Sequence, residues 1–294
     1  TQLQDAVPMT LGQEFRAWAA TIAEDIDRLG EAAALLCEVN LGATAIGTGI
    51  TSTAGYAERV IIELRRRTGL DIVTASDLIE ATSDCGAFVS FSGALRRIAV
   101  KLSKICNDLR LLSSGPRAGF GEVHLPPRQA GSSIMPGKVN PVIPEAVIQA
   151  GLRVMVNDAG IADAVSRGTC QINEFLPLIA DCFLETIDLL EAASPVLAAH
   201  VRGIRADEAR CRRLFDRSPM IVTALLPFIG YERAAALIQE YHRLTGADGG
   251  EAPGTDIRAF LEDKLGKDLT EQALSPHRLT MLGYSKNGYD PQGK

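Results

Sequence analysis

The chain has 294 residues, 46% of them hydrophobic and 22% charged, so it can bury a sizeable core and is not a disordered segment. A net charge of −6 and a pI of about 5.4 argue against a nucleic-acid or anionic-membrane partner. The six cysteines form no C-x-x-C pair, the four histidines lack metal-ligand spacing, and no bilayer-spanning run or signal peptide is visible, which predicts a reduced, cytoplasmic, metal-free protein.

The first predicted element is an amphipathic helix, because apolar residues recur in steps of three and four from Phe15 to Leu36. The three glycines of "NLGATAIGTGI" (40–50) then predict a loop. A shorter helix is expected at about 54–68, ended by Gly69.

The most regular pattern in the chain follows. Its apolar residues alternate steps of three and four: Leu95, Ile98, Leu102, Ile105, Leu109 and Leu112. This spacing is typical of helices that pack nearly antiparallel in a bundle. We expect the helix to extend back to about residue 76.

A Gly/Pro-rich loop is predicted at 113–133, followed by long helices at about 141–167 and 172–200. The predicted boundaries are Asn140 as the cap and Pro141 as the first residue of one helix, Gly168 as its end, and Pro195 as a kink or end of the other.

Shorter helices are expected from about residue 206, interrupted by a linker or surface loop at 246–254. The predicted fold class is therefore all-α, a long-helix bundle with a small C-terminal helical subdomain. The predicted domains are a central bundle (1–202) and a small helical domain (203–294). With so few long helices, part of their apolar faces stays uncovered within one chain. We therefore expect an oligomer.

The segment "QAGSSIMPGKVNPVIPE" (129–145) is unlike the helical patterns around it. A nucleotide-binding P-loop is excluded, because five residues instead of four separate Gly131 from Gly137 and Val139 replaces the Mg²⁺-binding hydroxyl. An ordinary surface turn would explain the composition. A mobile loop with Lys138 and an amide near a helix start would also suit a small carboxylate.

"GSSIMPGKVNP" resembles the signature G-S-S-x-M-P-x-K-x-N of the aspartase/fumarase superfamily. "TQLQDAVPMTLGQEF", "EVNLGATAIGTG", "EATSDCGAFV" and "KICNDLRLLSSGPRAG" resemble further family segments in the same order. The resemblance covers residues 1–232, and the remainder fits the superfamily's small C-terminal domain. It implies the superfamily's long-helix bundle.

Two features resemble the aspartase branch more than the class II fumarases. "NPVIPE" (140–145) is similar to the aspartase segment, whereas fumarases usually have "NPTQCE". Gln2 occupies a position where fumarases carry a histidine. That histidine pairs with the glutamate matching Glu145, so the relay cannot operate in the same way here.

The resemblance implies a reversible elimination of ammonia from L-aspartate to fumarate, without a metal or organic cofactor. Ser132 would be the base that removes the Cβ proton and forms an aci-carboxylate, with Glu145 behind the site. The implied substrate-binding residues are Thr1, Gln2, Ser133, Ile134, Met135, Lys138 and Asn140. A glycine-rich loop with backbone N–H groups and a nearby cation can stabilise a serine alkoxide.

The resemblance also implies a homotetramer whose sites combine regions of three subunits. The family's N-terminal region, which supplies further contacts, is expected to be absent from this chain. Two departures, "GTCQIN" (168–173) for "GQLQLN" and Leu226 for asparagine in "LPFIG", replace polar residues. The alternatives are a fumarase-type hydratase acting on malate and fumarate, and a catalytically incompetent structural fragment.

Overall fold

The computed structural model describes residues 1–245 and 256–280, in which α-helices dominate. The helices are α1 (Leu11–Leu35), α2 (Tyr56–Thr68), α3 (Glu80–Ser83), α4 (Gly86–Leu112), α5 (Val142–Val165), α6 (Leu176–Arg202), α7 (Glu208–Arg217), α8 (Leu226–Ile229), α9 (Tyr231–Thr245), α10 (Ile257–Leu265), α11 (Lys267–Ala273) and α12 (Pro276–Thr280), with a 3₁₀-helix at Pro219–Leu225. The two-residue strands are β1 (Glu38–Val39), β2 (Val73–Thr74), β3 (Val123–His124) and β4 (Arg205–Ala206). The all-α fold class is confirmed, with β1 parallel to β2 and β3 beside β4.

The described residues fall into two compact units. Residues 18–205 form the first unit, and residues 1–17 belong with those from 206 onward in the second. Ser218 Oγ in the second unit donates to Asp5 Oδ2 at 2.7 Å. The predicted domains, 1–202 and 203–294, stay a prediction.

Helices α4 and α5 form the centre of the first unit, and the predicted α4 pattern is largely buried there. Leu95 and Leu109 on that pattern are buried, and each such side chain contributes about 1.5–3 kcal/mol of burial free energy. Gly151 of α5 lies so close to α4 that an added β-carbon would be 2.5 Å from Ser103 Oγ. Cys106 packs with Val147 nearer the start of α5, so the helices run antiparallel, as predicted.

Buried polar groups connect the helices of this bundle. Asp25 of α1 accepts a hydrogen bond from Lys101 of α4 at 2.7 Å. Asp158 of α5 accepts one from Ser92 of α4 at 2.8 Å. Asn157 of α5 donates to Thr186 of α6 at 3.2 Å. Since unpaired buried polar groups are costly, these bonds favour this arrangement of helices over others.

The predicted extension of the α4 helix back to residue 76 is wrong. A separate short helix, α3, ends at Ser83, and Asp84 has an extended backbone with ψ 133°. The Asp84 carboxylate then accepts a hydrogen bond from the Gly86 N–H at 3.0 Å, where α4 begins. A local carboxylate therefore interrupts the continuous apolar pattern.

The predicted ends of α5 and α6 also need correction. Pro141, not Asn140, occupies the N-cap position of α5, and the helix ends at Val165, before Gly168. Helix α6 continues through Pro195 to Arg202, so it does not end at that proline. The loop predicted at 113–133 contains the short strand β3.

The second unit has its own apolar core around Leu225, Ile257 and Leu261, each fully buried. Short helices from α7 onward enclose it, in agreement with the predicted small helical subdomain. The linker predicted at 246–254 lies outside the described residues.

Candidate active site

The signature loop lies between α4 and α5, at the end of the bundle where α5 begins. The Gly131 N–H donates to the Lys138 carbonyl at 2.7 Å, and the Lys138 N–H donates to the Met135 carbonyl at 3.2 Å. Residues 132–137 therefore form a loop closed at its base by the first of these bonds.

Two glycines allow this short loop to close. A β-carbon on Gly131 would lie 2.8 Å from Asn140 Oδ1 and 2.9 Å from the Lys138 carbonyl oxygen. Gly137 has φ +80°, a left-handed conformation that favours glycine. The first glycine is needed for close approach and the second for its backbone angle.

Ser132 is half-buried, and its hydroxyl lies inside the loop. Its Oγ accepts hydrogen bonds from the N–H groups of Ile134 and Met135, each at 3.2 Å. N–H groups directed at one oxygen stabilise negative charge on it. The alkoxide form of Ser132 is therefore more stable here than the alkoxide of a serine without such donors.

The other signature residues surround this hydroxyl on the loop. Ser133, Met135 and Lys138 are exposed, and Ile134 is 84% exposed. Asn140 is half-buried, and its Nδ2 donates to the Gly131 carbonyl at 3.4 Å. The side chain predicted to cap α5 thus contacts the base of the loop instead.

Glu145 lies in the first turn of α5 and faces the last turn of α4. Its Oε1 is 3.8 Å from Arg110 Nε, and Arg110 Nη1 also donates to Asn107 Oδ1 at 3.0 Å. The apolar pattern of α4 does not identify Arg110 as the partner of Glu145. The sequence places Arg110 beside the apolar positions of α4. A helical pattern on one element does not, however, identify the residue that faces it on another element.

Thr1 and Gln2 belong to the other compact unit. The Thr1 nitrogen donates to the Gln4 carbonyl at 2.8 Å, and the Gln4 N–H donates back to the Thr1 carbonyl at 2.9 Å. Both residues are exposed, and Gln2 has φ 50°. Their part in a substrate site stays a prediction.

The "GTCQIN" departure lies in the turn between α5 and α6. Asn173, 2% exposed, donates through Nδ2 to the Val165 carbonyl at 3.1 Å and accepts the Phe175 N–H at 2.9 Å. Thr169 Oγ1 donates to Glu174 Oε1 at 2.6 Å, which lowers the pKa of that carboxyl. The retained asparagine thus connects the two helices.

Leu226, the other departure, starts α8 and packs against the apolar core of the second unit. Its aliphatic side chain is therefore compatible with its surroundings. Among residues 1–245 and 256–280, no group of three or more His, Cys, Asp or Glu side chains could hold a metal ion. No described helix is long and apolar enough to cross a membrane.

Residues 1–156, more than half of the chain, match the protein family described as "Lyase". The chain belongs to this lyase family. An aspartate ammonia-lyase of Pseudomonas canavaninivorans is 58% identical over 239 residues, covering 81% of this chain and 50% of the relative. That of Escherichia coli K12 is 52% identical over 232 residues, covering 79% and 48%. This lyase-family chain spans about half the length of these relatives.

Solved structures support the same assignment. The fumarate lyase:delta crystallin of Brucella melitensis bound to cobalt is 49% identical, with a TM-score of 0.87 over 96% of this chain and 60% of that chain. A class II fumarase from Schistosoma mansoni is 31% identical, with a TM-score of 0.82 over 93% and 60%. The predicted resemblance to the aspartase/fumarase superfamily is confirmed.

Proposed function

We propose that the protein carrying this chain is an aspartate ammonia-lyase, which eliminates ammonia from L-aspartate to give fumarate in a reversible reaction. The observation that carries the proposal is the Ser132 hydroxyl, which accepts two backbone N–H groups within a loop bearing Lys138. The identity of 58% to an aspartate ammonia-lyase over 81% of the chain supports this substrate.

The difficult step of this reaction is removal of the Cβ proton of aspartate. Its loss places a second negative charge on the β-carboxylate as an aci-carboxylate, so the site must stabilise that charge. Ser132 is the proposed base, since the N–H groups of Ile134 and Met135 stabilise its alkoxide. Ammonia then leaves from Cα as the carbon–carbon double bond forms.

The remaining loop residues bind the two carboxylates in this proposal. Ser133 donates to the β-carboxylate, which gains charge during the reaction. Lys138 binds the α-carboxylate, and Asn140 assists it. The Asn140 amide donates to the Gly131 carbonyl, so binding the substrate would require it to exchange that partner. Closure of the loop would exclude water and order Ser132.

Other predicted residues have supporting parts in the same proposal. Thr1 and Gln2 contact the substrate, and the main chain of Ile134 and Met135 lines the pocket. Glu145 acts from behind the site, and its contact with Arg110 supports an arrangement different from a glutamate–histidine relay. No metal or organic cofactor takes part, and the predicted location is cytoplasmic.

We also propose a homotetramer. Leu152 and Val156 lie one turn apart on α5 and are 55% and 60% exposed, and Leu184 on α6 is 60% exposed. Large apolar side chains on the exposed faces of long helices are typical of subunit interfaces. The superfamily resemblance supports four copies of the chain.

The substrate proposal is tested by following fumarate absorbance after addition of L-aspartate to the purified protein. L-malate, L-glutamate and other amino acids are assayed in parallel. The proposal predicts fumarate from aspartate only. Turnover of malate without aspartate would instead indicate the fumarase-type hydratase, and no turnover of either would indicate a structural fragment.

A further inference from the structure

His200, in the last turn of α6, is a buried group that the proposed reaction does not use. The side chain is 1% exposed. Neither Nδ1 nor Nε2 has a hydrogen-bond partner among the described residues. A neutral imidazole has one donor and one acceptor, so leaving both unsatisfied in the interior costs free energy. Such a group calls for a physical explanation.

The chain segment that leads into the signature loop passes over this end of α6. We name residues 123–128 the covering segment. Its first residues form β3, which pairs with β4 directly after α6. Pro126 lies so close to Gly203 that an added β-carbon there would be 2.6 Å from Pro126 Cγ. Four residues after Arg128, the chain reaches Ser132.

Near His200 lie a positive group of the covering segment and an apolar cluster, while His124 at the start of that segment is exposed. Arg128 of the covering segment is close enough to disfavour a second positive charge. In the neighbouring apolar cluster, Cys106 of α4 packs with Val147 of α5 and Leu197 of α6. Burial raises the pKa of Cys106 to about 12, so this thiol stays neutral and supplies no counter-charge. On α6 itself, Arg202 is exposed.

We propose that protonation of His200 controls the covering segment. The segment stays packed on α6 while the His200 ring is neutral and is released when the ring gains a proton. Protonation gives the ring a positive charge and two N–H donors, for which no acceptor lies within hydrogen-bond distance among the described residues. Exposing the ring to water removes this penalty, and the covering segment beyond its buried Val123 can open locally, since Pro127 and Arg128 are exposed. The signature loop would move with it, because the two are continuous.

The direction of the pH dependence follows from burial. Burial, and secondly Arg128, lower the pKa of His200 below its ordinary value of 6.5. The open state, with an exposed ring, therefore binds more protons than the closed state below about pH 6.5. The closed state is favoured above that pH and is lost as the pH falls, with the open population rising up to about tenfold per pH unit.

Hydrogen exchange of the covering segment tests this control by His200, and this readout does not depend on the proposed function. Peptides covering residues 120–131 are followed by mass spectrometry between pH 7.5 and 5, at labelling times corrected for the intrinsic rate. The wild-type protein should lose protection below about pH 6.5. His200→Leu and His200→Gln should keep it, since neither side chain gains a proton. The control His242→Leu changes an exposed histidine of the second unit and should behave as wild type.

Three results would overturn the proposal. The first is unchanged protection of the covering segment in the wild-type protein as the pH falls. The second is the same loss of protection at low pH in both His200 variants. The third is loss of protection throughout the first unit instead of in the covering segment. If one variant fails to fold, the other decides the test. Fumarate formation measured alongside shows whether the signature loop moves with the segment, and that reading alone rests on the proposed function.

Discussion

At the scale of single residues, the loop depends on Gly131, whose α-carbon has no room for a side chain. A β-carbon there would lie 2.8 Å from Asn140 Oδ1 and 2.9 Å from the Lys138 carbonyl oxygen. We expect Gly131→Ala to displace the loop base and lower kcat/KM by up to about 100-fold, with little change in melting temperature. Steady-state kinetics and thermal unfolding measure both quantities. Gly93→Ala is the control, since its added β-carbon meets open space, and equal losses in the two variants would refute this role.

The site residues differ in how far the sequence could predict them. The order of Ser132, Lys138 and Asn140 within one signature identified the loop, because these residues are contiguous in the chain. The glycine-rich loop predicts that backbone N–H groups stabilise Ser132 but not which ones. The structure identifies them as those of Ile134 and Met135. The contact of Arg110 with Glu145 was missed, since it joins residues thirty-five positions apart on different helices.

At the scale of elements, the α5–α6 turn depends on Asn173, which contacts both helix ends. Its Nδ2 donates to the Val165 carbonyl, and its Oδ1 accepts the Phe175 N–H. Removing these bonds leaves two partly buried backbone groups without these partners, so Asn173→Ala should lower the free energy of unfolding by about 1–3 kcal/mol. Urea denaturation measures this change. Gln171→Ala alters an exposed residue of the same turn, and an equal loss in that control would contradict the capping role.

Helix faces were predictable, whereas several helix boundaries were not. The apolar spacing in α4 anticipated its buried residues, including Leu95 and Leu109, because packing follows the helical period. Helix ends depend on which side chain satisfies the last backbone groups. Asp84 separates α3 from α4, and Asn173 bonds to the end of α5 before Gly168 is reached. Composition alone does not specify those partners.

At the scale of the whole molecule, the exposed apolar residues of α5 and α6 predict association of subunits. Val156 is 60% exposed, and a charged side chain buried in an interface would be costly. We expect Val156→Glu to reduce the mass measured by light scattering from that of four chains to that of one or two, with helical content unchanged. Thr68→Glu, an exposed polar position at the end of α2, is the control. A wild-type protein with the mass of one chain would contradict the tetramer.

Ser132 is proposed to remove the Cβ proton of aspartate. The most direct measurement is the rate of fumarate formation at saturating aspartate for Ser132→Ala, beside the control Ser166→Ala on an exposed serine after α5. Loss of the base should lower kcat by about 10²–10⁴-fold, while melting temperature and subunit mass stay as in the wild-type protein. Full activity of Ser132→Ala would contradict the role of Ser132 as the base.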